Sequence, residues 1–266
     1  MDRIEDRIRQ HRQVESGPIL VVEGPDDLLL LRDHVPQEII FPADGKRNVL
    51  RAMDSLAKWN LVGIRAIVDA DFDEPEGGRD DPRVLLYEGR DLEGMLILFG
   101  VLIHLLEHQG SVSKLDGAGG PQKIVGQLVQ EAHIIAEIRA ANERESWGLP
   151  FDKVDITGKA DRRTLRLDLS RYVAALIQAS DSEVKASVVL EVVVGDQLDG
   201  RGPRGRDVLA FAGLALRAQA GSLPAAATGV DVLGGQLRSS AGLAIAHSEW
   251  LSVVRESINA AEAEVR

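Results

Sequence analysis

The chain has 266 residues, with 31 Lys and Arg against 42 Asp and Glu, a formal net charge of −11 and no cysteine. That length can bury one large core or two small ones, and the lack of cysteine excludes disulfides, thiolate nucleophiles and Cys-ligated zinc. The acidic balance argues against a surface coated in base for nucleic acid, so any phosphate contact would have to come from local basic patches.

Residues 1–16 alternate charges at helical spacing with Ile4 and Ile8 on one side, which predicts a short, mostly solvated helix and not a secretory signal. From residue 19 the pattern becomes strand, turn, helix. Residues 19–22 predict a strand, and Pro25 and Asp26 open a helix through Leu31. Residues 38–41 predict a second strand, and 46–59 a helix with Val49, Leu50, Met53 and Leu56 at helical spacing. Strands at 64–68 and 84–87 complete a βαβαβ run, so the sheet should be parallel with right-handed crossovers.

After Asp91 the pattern is helical: 92–107, 122–142, 171–179, 207–220 and 248–264 predict helices, while 185–194 fits a strand or a helix. The stretch 221–246 is rich in Gly, Ala and Ser and carries no clear periodicity. The expectation is an α/β domain over 17–110 followed by a mainly helical domain over 111–266, with the boundary in the glycine-rich stretch near 108–120. The longest apolar run, 95–106, contains Gly100 and His104 and is too short to cross a bilayer. A cytoplasmic protein without membrane contact is expected. The apolar run 208–216 would suit a core or a homodimer interface equally.

The chemistry concentrates at strand ends. Glu23 follows the first strand, Asp69, Asp71 and Asp73 follow the third, and Asp91 and Glu93 follow the fourth. Open α/β sheets place their sites beyond the carboxyl ends of the strands. Carboxylates gathered there repel one another unless a hard divalent cation lies between them. If the third strand runs on, its alternating aspartates point the same way. A Mg²⁺ or Mn²⁺ site for phosphoryl-transfer chemistry follows as the expectation.

At this point "VVEGPDD" (21–27) and "IVDADFD" (67–73) resemble the TOPRIM domain, a Rossmann-like parallel sheet shared by topoisomerases, bacterial primases, RNA-maturing nucleases and the overcoming-lysogenization-defect nucleases. "YEGRDLEGML" (87–96) is similar to small TOPRIM proteins that act beside an ATPase in anti-phage defence, including the nuclease subunit of the PARIS system. The stretch "GRGPRGRDVLAFAGLAL" (200–216) extends that likeness. The resemblance implies a metal-dependent endonuclease that cleaves RNA, such as transfer RNA, or DNA under the control of a partner ATPase. It implies Glu23, Asp69 and Asp71 as catalytic carboxylates, Asp27 and Glu93 as further metal ligands, and Lys46 near the phosphate. Gly94 stands where the family usually has asparagine.

Other readings remain beside this one. A TOPRIM module that binds or regulates without catalysis fits the acidic surface, and a primase-like or RNA-maturing role uses the same domain. His104, Glu107 and His108 spell an inverted zinc-peptidase pattern, but no distal ligand accompanies them. No Walker A motif is present, so ATP hydrolysis would belong to a partner. With Tyr87 and Tyr172 as its only tyrosines, the chain has no evident nucleophile for covalent strand passage. Arg201, Arg204 and Arg206 among glycines, and the run Lys159, Arg162, Arg163, Arg166 and Arg171, are candidates for contacts to nucleic-acid phosphates.

Overall fold

A computed structural model describes residues 3–72, 81–193 and 200–266. In chain order the first elements are α1 (Ile4–His11), β1 (Ile19–Val22), α2 (Pro25–Leu31), β2 (Ile40–Pro42), α3 (Lys46–Lys58), β3 (Ile64–Val68) and β4 (Val84–Leu86). There follow α4 (Leu92–Leu98), α5 (Val101–Gln109), α6 (Val112–Gly117), α7 (Pro121–Glu145), α8 (Leu169–Gln178) and α9 (Ala186–Val192). The last are α10 (Gly205–Arg217), α11 (Val230–Ser240), α12 (Gly242–Ala246) and α13 (Glu249–Val265).

Two compact units result. Of the described residues, the first holds 3–70, 81–88 and 241–266, and the second holds 71–72, 89–193 and 200–240. This division differs from the expected boundary near 108–120. The chain leaves the sheet unit after residue 88, so α4 and α5 belong with the helical unit, and the last two helices return to the sheet.

In the first unit all four strands are parallel, in the order β2-β1-β3-β4. A parallel sheet must cover both faces, which is why β1 and β3 are buried along their whole length and, Arg65 apart, apolar rather than alternating. One face packs on Ile4 and Ile8 of α1 and on Val49, Ala52, Met53 and Leu56 of α3. The other face meets α13, whose Trp250, Leu251, Val254, Ile258 and Ala261 form a buried stripe at helical spacing. Arg65, the second residue of β3, is buried on that side, and its guanidinium reaches Glu264 at 2.6 Å and Ser257 at 3.1 Å on α13. Strand β2 starts later than expected because Gln37–Ile39 forms a 3₁₀ turn after Pro36.

In the second unit α10 is the central helix. It is buried on nearly every side and contacts α4, α7 and α11, as an all-round apolar helix must. The apolar run 208–216 therefore lies in the core of this unit. The single helix expected over 92–107 is two helices meeting at 80°, broken at Gly100, whose φ of 79° lies in the left-handed region that glycine adopts without strain. The segment 185–194 is helical as α9, with Val194 outside the described residues. The Gly/Ala/Ser-rich stretch contains α11 in this unit, with Leu233 and Leu237 buried, and α12 in the first unit, with Ile245 buried. Among the described residues no single helix is long and apolar enough to cross a membrane.

Candidate functional site

The strand order sets where the first unit can hold a ligand. From β1 the chain moves to β2 on one side, and from β3 it moves to β4 on the other. The topological switch point therefore lies between β1 and β3, and the crevice beyond their carboxyl ends is where open α/β sheets bind.

Glu23 and Asp69 occupy that point. Each is the residue directly after its strand, and each is half-buried. The Glu23 carboxylate crosses from β1 to β3, its Oε1 accepting the Asp69 backbone N–H at 2.6 Å. Lys46 begins α3 at the same end of the sheet. The Gly45 amide next to it donates to the Glu23 carbonyl at 2.8 Å, which fixes the start of α3 against the tip of β1.

Asp27 serves the surrounding structure. Its Oδ2 accepts the Gly24 amide at 2.7 Å, closing the first turn of α2. Its Oδ1 accepts the Tyr87 hydroxyl. Tyr87 is fully buried and stacks on Trp250 with ring centroids 5.3 Å apart. Burial, with Asp27 against it, holds the phenol well above its ordinary range. A phenol so held cannot serve as an exposed nucleophile. Tyr172 is likewise buried and its phenol raised, mainly by desolvation.

The remaining acids belong to the second unit. The expected continuation of the third strand through Asp71 does not occur: β3 ends at Val68, and Asp71 has a φ of 47°. Arg90 holds this segment, its Nη1 donating to the Asp71 carbonyl at 2.5 Å and its guanidinium lying 4.3 Å over the Phe72 ring. Asp73 lies outside the described residues. Glu93 is buried in an ion pair with Arg238 of α11. Asp91 caps α4, and its Oδ1 accepts two amides at 2.8 Å, Gly94 of α4 and Gly205 of α10. Its Oδ2 lies 3.7 Å from Arg204. Arg206 pairs with Asp231 at 2.7 Å, and Arg201 is half-buried in the preceding loop. The glycines of this stretch were expected to admit a phosphate. Gly205 instead admits the backbone of α4, since a Cβ there would stand 2.3 Å from the Gly94 nitrogen. The same contact explains Gly94, whose own Cβ would meet Asp91 Oδ1 at 2.9 Å.

Asp91 carries a pH dependence. Burial first and the Glu93 charge second push its carboxyl up to about 6, against the opposing pull of the two amides and Arg204. The unfolded value is about 3.9, so the folded chain holds the proton more tightly. The resulting stabilisation is complete below about pH 4 and is lost as the pH rises through about 6, a difference of roughly 3 kcal/mol. Asp91→Asn keeps the oxygen that accepts both amides. It is expected to flatten the stability profile between about pH 4 and pH 7 and to unfold later than the wild type near pH 8. Urea unfolding of both proteins across that range checks this, and identical profiles would remove Asp91 as the source.

Among the described residues no group of three or more His, Asp or Glu side chains converges to hold a metal ion. His104 is exposed and meets Glu107 at 3.1 Å, an ordinary helix-surface pair. The pairing of Tyr87 with Asp27 and that of Arg238 with Glu93 escaped the sequence reading. Each joins residues 60 and 145 positions apart, and no local pattern marks such partners. Comparison with protein-family models, with curated proteins and with solved structures found no match.

Proposed function

We propose that the chain is a divalent-metal-dependent phosphodiesterase that cleaves nucleic acid, with Glu23 and Asp69 as its reacting carboxylates and Lys46 beside the scissile phosphate. The observation that carries this reading is the Glu23 carboxylate bridging to the Asp69 amide at the switch point between β1 and β3. Carboxylates placed there suit a hard cation. Magnesium is commonly held by one or two carboxylates, with substrate phosphate and water completing its shell, so the pair fits such an ion without a third protein ligand. When bound, the metal would supply an activated water and stabilise charge on the leaving oxygen. Glu23 and Asp69 would hold it, the Asp69 amide would orient the Glu23 carboxylate, and Lys46 would offer a cation to the phosphate. The part played by a partner ATPase, and a role in anti-phage defence, rest on the likeness of "YEGRDLEGML" (87–96) and its extension over 200–216.

A second reading has its own observation. Asp27 and Glu93 are engaged by Tyr87, the Gly24 amide and Arg238, as befits a module that binds without turning over.

Incubation of the purified chain with Mn²⁺ or Mg²⁺ and a panel of transfer RNA, single-stranded DNA and plasmid separates the two. Cleavage that chelation stops and Asp69→Asn lacks is the expected result. Folded protein that gains thermal stability from the metal but cuts none of the panel would favour the binding module.

A further inference from the structure

The second unit carries a basic loop that neither reading uses. Between α7 and the first turn of α8, which holds Arg171, residues 159–171 carry Lys159, Arg162, Arg163, Arg166 and Arg171 in a chain whose net charge is −11. The four arginines are exposed and Lys159 is half-buried. No described carboxylate forms a salt bridge with any of the five.

The loop is built to present these cations. Ala160 and Leu167 pair as an antiparallel bridge, closed by Asp161 N–H to Arg166 carbonyl at 2.9 Å and Asp168 N–H to Lys159 carbonyl at 2.8 Å. Leu165 turns inward with a φ of 59° and is fully buried, anchoring the tip. Glu131 of α7 accepts the Leu167 amide at 2.9 Å, and Gln127 of α7 donates to the Thr164 carbonyl. The two acids of the loop face backbone: Asp161 accepts the Arg163 and Thr164 amides at 2.9 and 2.7 Å, and Asp168 accepts the Arg171 amide at 3.0 Å. Both carboxylates are thus tied to turn amides while remaining exposed, and the five cations outnumber them across residues 159–171. Lys159, Arg162, Arg163 and Arg171 line one shallow cleft of about 520 Å³ together with Asp161 and Asp168, leaving an excess of two positive charges there.

We infer that this loop is a nucleic-acid backbone clamp, gripping consecutive phosphates without reading sequence. Four of its five cations are arginines, whose planar fork matches phosphate oxygens in pairs. No aromatic residue lies in 159–171 to stack on a base, so the contact is to the backbone. No exposed large apolar residue lies there either, which disfavours insertion into an acidic lipid surface. The inference deepens the proposed function by naming where the substrate is held, and takes from it the identity of the polyanion as nucleic acid.

The test reads binding with EDTA present, so cleavage plays no part. Anisotropy of a labelled single-stranded RNA of about 20 nucleotides is followed over a salt series. Counterion release gives a slope of about −0.7 per phosphate neutralised on a single strand. The triple variant Arg162→Ala, Arg163→Ala, Arg166→Ala removes three exposed side chains. It is expected to weaken binding at least tenfold and to reduce the salt slope by about 2. A charge-matched control, Arg7→Ala, Arg32→Ala, Arg144→Ala, should bind like the wild type. The inference fails if the two triples lose affinity equally, if the loop triple binds as the wild type does, or if wild type binds phosphatidylserine vesicles but not RNA. Loop-dependent binding with no metal-dependent cleavage would uphold the clamp and count against the nuclease reading alone.

Discussion

Glu23→Gln and Asp69→Asn are each expected to lower the metal-dependent cleavage rate by on the order of 10²–10⁴-fold while the chain stays folded. The amides are the informative replacements. Glu23 Oε1 accepts the Asp69 N–H at 2.6 Å, and glutamine keeps a carbonyl oxygen for that bond. Alanine would strand the amide, at a cost of about 1–3 kcal/mol if it is cut off from water, and would confuse lost chemistry with a loosened strand tip. Lys46→Met should act differently, raising KM more than it lowers kcat, because a lone ammonium near a phosphate aids binding before it aids the transition state. Initial rates of the three variants in Mn²⁺, beside their thermal midpoints, give the comparison. Folded Glu23→Gln and Asp69→Asn proteins cutting at the wild-type rate would sink the proposed mechanism.

The sheet was legible because parallel strands buried on both faces leave a strong mark. The runs at 19–22 and 64–68 are, Arg65 apart, apolar without alternation, and a helix of clear periodicity stands between them. The ends of those strands, and so Glu23 and Asp69, were legible with them. What α13 packs on was not: its apolar stripe announces a buried face but not the partner, and the sheet had a face to cover. The break at Gly100 was hidden because apolar residues continue on both sides of it. Helices α11 and α12 were hidden for the opposite reason, since Gly, Ala and Ser have a weak pattern and tertiary burial of a few leucines and an isoleucine decides the outcome. Asp71 shows the limit of alternation as a guide, for its left-handed backbone ends the strand geometry that would have aimed it beside Asp69.

Gly205→Ala is expected to destabilise the chain by about 3 kcal/mol, and Gly235→Ala to stabilise it by about 0.5–1 kcal/mol. Both glycines lie in helices, and helix propensity alone would favour alanine at each by up to about 1 kcal/mol. Packing separates them. A Cβ on Gly205 would lie 2.3 Å from the Gly94 nitrogen and 2.4 Å from both the carbonyl carbon and the Cβ of Glu93. Two of those atoms are backbone of α4, which cannot turn aside as a side-chain tip would. The amide of Gly205 is also one of the two that Asp91 accepts, so pushing α10 away weakens that bond and uncovers a buried carboxylate. At Gly235, inside α11, an added Cβ meets nothing within 4 Å, so the propensity gain stands unopposed. Urea unfolding of the two variants beside the wild type reads the sign of each change. Shifts of the same sign would mean that the close approach of α10 to α4 through Gly205 does not hold the second unit together.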